Sequence, residues 1–278
     1  MRILLLLERR SHGTPTPLLN RLCTALRERG AEVEIEIPEE MLLRADTLQP
    51  EHDLYLLKSY TDLAISVAGI LDAEGAEILN PYPSCLVVRD KALTAARLRA
   101  AGIPAPQTWL TADPMTLAPL LDRTSLVIKP LRGLHGRGVQ RVRNLPELEA
   151  VPRGEPLVAQ EYVPGPGRDL KLYLVGDKVF AVRKPFSATS YVRDGESCRP
   201  PDAAREIALE CGRALELGLY GLDLIESVDG PVVVDVNYFP GFRGVADPVP
   251  AIAGCVEAYS RCRSGSRQER VIAGVRSG

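Results

Sequence analysis

Three oxygen-bearing side chains near the end of the chain lie in apolar runs, where such groups are uncommon. Asp223 interrupts one run, and Asp235 and Asn237 lie two residues apart in the next, after a turn at Asp229-Gly230. On a strand, residues two apart share a face, and a hairpin would bring Asp223 beside them. Burying these oxygens is costly unless a cation joins them. The set therefore predicts a magnesium site that also accepts phosphate, with salt bridges to a nearby Arg or Lys as the alternative.

A lysine followed by a glycine-rich turn occurs earlier in the chain. Lys129 ends an apolar run, and Gly133, Gly136 and Gly138 follow it with His135 among them. Glycines let backbone N–H groups approach an anion closely, and lysine supplies a point charge for phosphate. The spacing is neither that of a Walker-A loop nor that of a dinucleotide-binding turn. The segment predicts a phosphate-binding lid over 133–138; a flexible hairpin is the alternative, with His135 solvated or in contact with substrate.

A third segment has the properties of a purine-binding hinge. Glu161, Tyr162 and Val163 end an apolar run, and a turn rich in proline and glycine leads from them to Asp169. A strand end can offer adenine a backbone donor and acceptor, and a carboxylate a few residues later can hold ribose hydroxyls. An ordinary turn is the alternative for this segment taken alone.

These residues must be positioned by two kinds of structure. The first part of the chain alternates apolar runs at 1–7, 31–37, 53–57 and 77–79 with amphipathic segments at 18–29 and 61–74. This β-α-β-α-β order predicts a small parallel sheet covered by helices. From residue 125 onward, strands separated by short turns predict an antiparallel α+β region, with helices near 145–150, 201–217 and 251–262.

Composition excludes several classes of partner. The chain has 278 residues, 45% of them hydrophobic, a formal net charge of −2 and only 5% aromatic residues. Neither nucleic acid nor a membrane is expected as a partner, since the chain has no basic excess and no apolar run of the roughly 20 residues that a membrane span needs. Six cysteines without a C-x-x-C pair predict reduced thiols in a cytoplasmic protein.

In this order, the three segments resemble the ATP-grasp superfamily over roughly residues 80–250. The stretch 80–106, with Asn80-Pro81 and Arg89-Asp90-Lys91, is similar to the ribosomal-protein glutamate ligase (RimK-like) group. The resemblance implies an α/β and α+β protein of the ATP-grasp fold, in which a small parallel N-terminal lobe precedes two α+β lobes that enclose the nucleotide. The expected divisions are an N-terminal lobe at 1–88, a central lobe with the glycine-rich lid at 89–165, a C-terminal lobe with the metal site at 166–262, and a flexible tail at 263–278.

The resemblance also implies a role for each matched position. The expected nucleotide contacts are Lys91, Lys129, Gly133, His135, Gly136, Gly138, Glu161, Tyr162, Val163 and Asp169. The expected ligands of Mg²⁺, or of Mn²⁺ in its place, are Asp223, Asp235 and Asn237. The expected catalytic residues, which would hold the transferred phosphoryl group or a substrate carboxylate, are Lys171, Arg183 and Arg243.

Three departures from the ligase pattern leave the acceptor open. Asp235 stands where glutamate is usual, Lys171 stands where arginine is usual, and the usual substrate pattern is absent from 182–187. With the stretch 235–245, these differences resemble the ATP-grasp inositol phosphate kinases. The first hypothesis is a ligase that joins a small acid to an amine through an acyl phosphate, with a homodimer as the hypothesis for its assembly. A kinase for an inositol phosphate or another polyol, and a nucleotide-binding regulator without turnover, are the alternatives.

Overall fold

The computed structural model describes residues 1–9, 15–133, 138–185 and 195–260. The chain forms two compact units, one made of Met1–Cys85 with the chain from Asp247 onward, and the other of Leu86–Ala246. His135, Gly136 and the predicted tail at 263–278 lie outside the described residues. The predicted division into three lobes and a tail stays a prediction.

The first unit contains the parallel sheet expected from the sequence. Its elements are β1 (Arg2–Leu7), α1 (Pro17–Glu28), β2 (Glu32–Glu36), β3 (Leu54–Lys58), α2 (Asp62–Ala73) and β4 (Ile78–Leu79). All the strands are parallel, in the order β2-β1-β3-β4. Thr16 and Thr61 cap the two helices, because each hydroxyl accepts a hydrogen bond from a backbone N–H of the first turn. A helix at 249–260 also belongs to this unit, where Tyr259 donates a hydrogen bond to the Ile78 carbonyl at 3.0 Å.

Two consecutive helices follow the parallel sheet, α3 (Tyr82–Arg89) and α4 (Lys91–Ala100). The sequence predicts a helix over 90–101, which corresponds to α4, whereas Pro81 and Pro83 hide the start of α3. Asp90 ends the first helix and caps the second, since its carboxylate accepts hydrogen bonds from two backbone N–H groups of α4. This cap fixes Lys91 as the first residue of α4.

The second unit begins with a four-stranded antiparallel sheet. Its elements are β5 (Thr108–Thr111), β6 (Leu126–Pro130), β7 (Gln140–Val142), α5 (Leu145–Glu149) and β8 (Leu157–Glu161), with strand order β5-β8-β6-β7. Leu126, Ile128 and Ala159 pack on one face with Leu148 of α5. Because side chains alternate along a strand, Lys129 points to the opposite face. The strand thus buries its leucine and isoleucine in one core and delivers its lysine to the other side.

A five-stranded antiparallel sheet completes the second unit. Its elements are β9 (Arg168–Val175), β10 (Lys178–Pro185), β11 (Glu196–Cys198), α6 (Asp202–Leu215), β12 (Leu219–Ser227) and β13 (Gly230–Tyr238), with strand order β11-β10-β9-β12-β13. Helix α6 covers one face, where Leu170, Leu172 and Leu174 are fully buried. Tyr220 fixes this packing by donating a hydrogen bond to the Ala208 carbonyl of α6 at 2.7 Å. The other face is called the site face below.

The differences from the predicted elements have simple causes. Strands β5 and β11 were not predicted, because they span only four and three residues and lack a clear apolar alternation. Strands β12 and β13 extend beyond 222–226 and 232–237, which the sequence predicts, because their pairing continues to Tyr220 and Tyr238 at one end and to Ser227 and Gly230 at the other. Among the described residues, no helix has the length and apolar character to cross a membrane.

Candidate active site

The hairpin of β12 and β13 brings together the three residues predicted as metal ligands. Asp223 lies directly opposite Asp235, and Asn237 lies opposite Gly221 two residues away on each strand. Directly opposed residues share a face, so all three side chains lie on the site face. The Asn237 amide donates a hydrogen bond to Oδ2 of Asp235 at 3.2 Å. The side chains are therefore close enough to act on one ion, although their role as ligands stays a prediction.

The donor set suits an ion that arrives with phosphate. Within the described part of the chain, no group of three or more His, Cys, Asp or Glu residues could enclose a metal by itself. Two carboxylates and an amide oxygen fill three positions of an octahedral shell and leave the other half open. Mg²⁺ commonly fills such positions with water and substrate phosphates. The residues present thus fit a magnesium ion held jointly by protein and nucleotide.

Lys171 lies across from Asp223 on the neighbouring strand and forms an ion pair with it. Its ammonium donates hydrogen bonds to both carboxylate oxygens at 2.6 Å. Burial acts to lower the pKa of Lys171, but the charge and the hydrogen bond of Asp223 outweigh burial and raise that pKa above its usual value. Lys171 is therefore a permanent cation in the middle of the site face.

Lys129 reaches the same hairpin from the first sheet of this unit. It is 8% exposed, and its ammonium donates a hydrogen bond to the Val234 carbonyl at 2.9 Å. Burial lowers the pKa of Lys129, and the charge of Asp235 acts against that shift. A buried cation beside the metal-type carboxylates can neutralise phosphate with little competition from water.

Asp169 lies near the start of β9, two residues before Lys171 on the same face. Burial, followed by the charge of Asp223, raises the pKa of Asp169 to about 6, while Lys171 and Lys129 act to lower it. The carboxyl group is thus only partly compensated by the surrounding lysines. It would gain from ligand hydroxyl groups that donate hydrogen bonds to it.

Asp169→Asn should make the nucleotide-free protein more stable near neutral pH. Because folding raises the pKa of Asp169 from 3.8 to about 6, its protonated form stabilises the fold below about pH 4, and this contribution is lost as the pH rises through about 6. Asparagine cannot ionise, so the variant should gain stability relative to the parent between about pH 4 and pH 7. Urea denaturation at several pH values measures this. A difference in unfolding free energy that is constant with pH would contradict it.

Lys91 holds the beginning of the glycine-rich segment. Its ammonium donates a hydrogen bond to the Gly133 carbonyl at 2.8 Å. At the other end, Gly138 has φ +71°, and a Cβ there would lie 2.9 Å from Cγ of Pro130, so glycine is required. Lys91 also lines a small pocket, together with Gln160 and Asp235. The predicted phosphate-binding lysine and the predicted metal ligand thus border the same pocket.

The hinge predicted at the end of β8 leaves one backbone donor available. The N–H of Glu161 is bonded to the Gln107 carbonyl at 2.9 Å, and that of Tyr162 is bonded to the Ser125 carbonyl at 2.8 Å. No acceptor for the N–H of Val163 is found in the described residues. The guanidinium of Arg141 stacks 3.4 Å from the centre of the Tyr162 ring and steadies it. Val163 can therefore donate to a ring nitrogen of a bound base.

The geometry of β10 does not support the prediction that Arg183 belongs to the site. Arg183 lies opposite Leu170, and therefore on the face covered by α6. There its guanidinium donates two hydrogen bonds to Glu226, at 2.9 and 3.2 Å, which lower the pKa of that carboxyl. Its neighbour Lys184 lies opposite Asp169 on the site face and is 2% exposed. Because side chains alternate along the strand, Lys184 lies on the site face, although the sequence analysis did not name it as a catalytic residue.

Arg243 follows a tightly folded segment that covers part of the site face. Phe239 and Phe242 are buried and have φ of 40° and 50°, in the left-handed region that costs a non-glycine residue about 1–3 kcal/mol. The ring of Phe242 packs against those of Tyr173 and Phe180, both on the site face. These contacts hold the backbone before Arg243 in place, while its side chain is exposed.

Comparison with known proteins defines the class to which this fold and site belong. The family described as the RimK-like ATP-grasp domain matches residues 88–250, which is more than half of the chain. A solved structure described as a RimK domain protein ATP-grasp from Sphaerobacter thermophilus DSM 20745 superposes with a TM-score of 0.75 and 21% identity, covering 94% of this chain and 99% of that one. D-alanine–D-alanine ligase from Bacillus anthracis gives a TM-score of 0.70 at 18% identity, covering 97% and 99%. The fold is the ATP-grasp fold, as predicted.

Proteins of similar sequence indicate the family within this class. A protein named probable alpha-L-glutamate ligase from Xanthomonas oryzae pv. oryzae is 32% identical over 67% of this chain and 69% of its own length. Probable alpha-L-glutamate ligase 1 of Shewanella amazonensis is 27% identical over 90% and 93%. A longer protein named probable alpha-L-glutamate ligase, from Parasynechococcus marenigrum, is 26% identical, and this chain spans only 55% of its length. This chain belongs to the RimK-like ATP-grasp family, and these relatives carry the name alpha-L-glutamate ligase.

Proposed function

We propose that this chain uses ATP and Mg²⁺ to activate a carboxylate as an acyl phosphate, which an amine then attacks to give an amide. The observation that carries the proposal is the site face, where Asp223 and Asp235 lie opposite one another with Lys171 beside them. Magnesium ions in such sites neutralise charge on the phosphates during transfer. The names of the relatives favour glutamate as one of the two components. The kinase alternative remains as an outcome of the test below.

The base, the ribose and the phosphates of the nucleotide are each proposed to bind a different group of residues at the site. The base receives a hydrogen bond from the Val163 N–H, and the ribose hydroxyls donate to Asp169. Lys91 and Lys129 hold the phosphates, because the first anchors the glycine-rich segment and the second is a buried cation. Exclusion of water from this space strengthens each of these charge contacts.

The transferred phosphoryl group is proposed to pass across the site face. Lys171 and Lys184 stabilise the charge on its oxygens in the transition state and on the acyl phosphate that follows. Arg243 binds a carboxylate of the acceptor, for which its fork of N–H donors is suited. No protein nucleophile is needed, since the substrate carboxylate attacks the phosphorus and ADP leaves.

Trapping the intermediate tests the proposal. With ATP, Mg²⁺ and L-glutamate supplied as both acid and amine, free phosphate should accumulate together with a glutamyl amide. Hydroxylamine added in place of the amine should give a hydroxamate, because it attacks acyl phosphates. A panel of other amino acids and short peptides extends the test to other acids. If no acid gives a hydroxamate and labelled γ-phosphate appears on a stable hydroxyl product, the enzyme is a kinase.

A further inference from the structure

Asp223, one of the predicted metal ligands, already forms an ion pair with the ammonium of Lys171. Both of its oxygens accept hydrogen bonds from Lys171 at 2.6 Å, and the side chains of Lys171 and Asp223 are only 19% and 24% exposed. The pair lies at the centre of the sheet, between Asp169 on the strand of Lys171 and Asp235 on the strand beyond Asp223. An ion that uses Asp223 as a ligand must compete with this ammonium for the same oxygens.

We propose that Lys171 blocks the metal site in the nucleotide-free protein and releases Asp223 only when phosphate oxygens can receive its ammonium. An ion arriving alone would break the ion pair and leave Lys171 partly buried beside a second cation, which is strongly unfavourable. When nucleotide arrives with the ion, a phosphate replaces the carboxylate as the partner of Lys171. Ion and nucleotide therefore bind cooperatively, and the ion alone binds weakly.

The identity of the residue matters for this exchange. A lysine ammonium is a compact point charge on a flexible four-carbon stem, so it can turn from the carboxylate to a nearby phosphate. An arginine at this position would hold the carboxylate in a fixed bidentate fork. Lys171 is thus a positioning residue for the ion in addition to its proposed contact with phosphate. The proposal rests on the nucleotide and metal site but not on which bond the enzyme makes.

Binding of Mn²⁺, followed by electron paramagnetic resonance of the free ion, tests this without turnover. In the absence of nucleotide, Lys171→Met should bind Mn²⁺ about tenfold or more tightly than the parent, since the competing cation is gone. Lys178→Met is the matched control, because Lys178 is exposed at the far end of the adjacent strand, and it should bind Mn²⁺ like the parent. Equal or weaker Mn²⁺ binding by folded Lys171→Met would overturn the proposal.

A measurement on the parent protein decides the matter even if the variant fails to fold. The rise in melting temperature is measured with Mn²⁺ alone, with a non-hydrolysable ATP analogue alone, and with both. The proposal expects almost no rise with Mn²⁺ alone and a rise with both that exceeds the sum of the separate rises. A parent that Mn²⁺ alone stabilises as much as the combination would refute it. Because neither experiment measures product, a failure of the ligase assay leaves both results interpretable.

Discussion

Asp235→Asn is expected to abolish turnover while leaving the protein folded. The change removes a negative charge that lies opposite Asp223 and acts on Lys129, but it preserves the shape of the side chain and an oxygen that can accept from Asn237. Loss of one anionic ligand of a catalytic ion forfeits several kcal/mol of charge stabilisation, so kcat should fall by about 10³-fold or more. Phosphate release and hydroxamate formation at saturating ATP measure the loss.

The same hairpin provides the control for this experiment. Asp229 lies exposed at the turn between β12 and β13, so Asp229→Asn makes the same chemical change in the same hairpin, away from the site. It should keep the parental kcat within about twofold, and both variants should melt within a few degrees of the parent. If Asp235→Asn retains near-parental activity with saturating Mg²⁺, the ion is held elsewhere.

The placement of Asp223, Asp235 and Asn237 on one hairpin could be predicted because these residues interrupt strong patterns. Asp235 and Asn237 stand two apart in a run of valines, so the period of a strand alone puts them on one face. The turn at Asp229-Gly230 then predicts a hairpin, which pairs Asp223 with Asp235. The parallel sheet of the first unit could also be predicted from the sequence, since the leucines of β1 and β3 form continuous apolar runs that are typical of strands buried on both faces.

Contacts between distant segments could not be predicted in this way. Lys129 donates to the carbonyl of Val234, 105 residues later in the chain, and no local pattern connects the two. The same is true of Lys91, whose ammonium reaches the Gly133 carbonyl across 42 residues. Each lysine was identified from its neighbours in sequence, but the partner that orients it depends on how two sheets and a helix pack together.

The register of β10 places Arg183 away from the site face, for a reason that the sequence already contained. Strands β9 and β10 are joined by the two-residue turn Gly176-Asp177, which pairs Val175 with Lys178. Counting back from that pair places Lys184 opposite Asp169, and Arg183 on the other face. The register of the hairpin therefore points to Lys184 as the cation on the site face, and a catalytic role for Arg183 stays a prediction.

Lys184→Met should therefore reduce kcat strongly and Arg183→Met should not, although the two variants remove adjacent cations from the same strand. Lys184 is buried on the site face, and loss of a cation that stabilises a transferring phosphoryl group costs about 10²–10³-fold in kcat. Arg183 is hydrogen-bonded to Glu226 on the face covered by α6, so its loss should change kcat by less than about threefold and the stability by about 1 kcal/mol or less. Steady-state kinetics and urea denaturation of both variants measure the difference in kcat and in the free energy of unfolding.

Because Lys184→Met replaces a buried charge with an apolar side chain of similar length, this variant should remain folded and should still bind ATP through Lys91 and Lys129. A larger loss of kcat in Arg183→Met than in Lys184→Met would show that phosphoryl transfer takes place on the other side of this sheet.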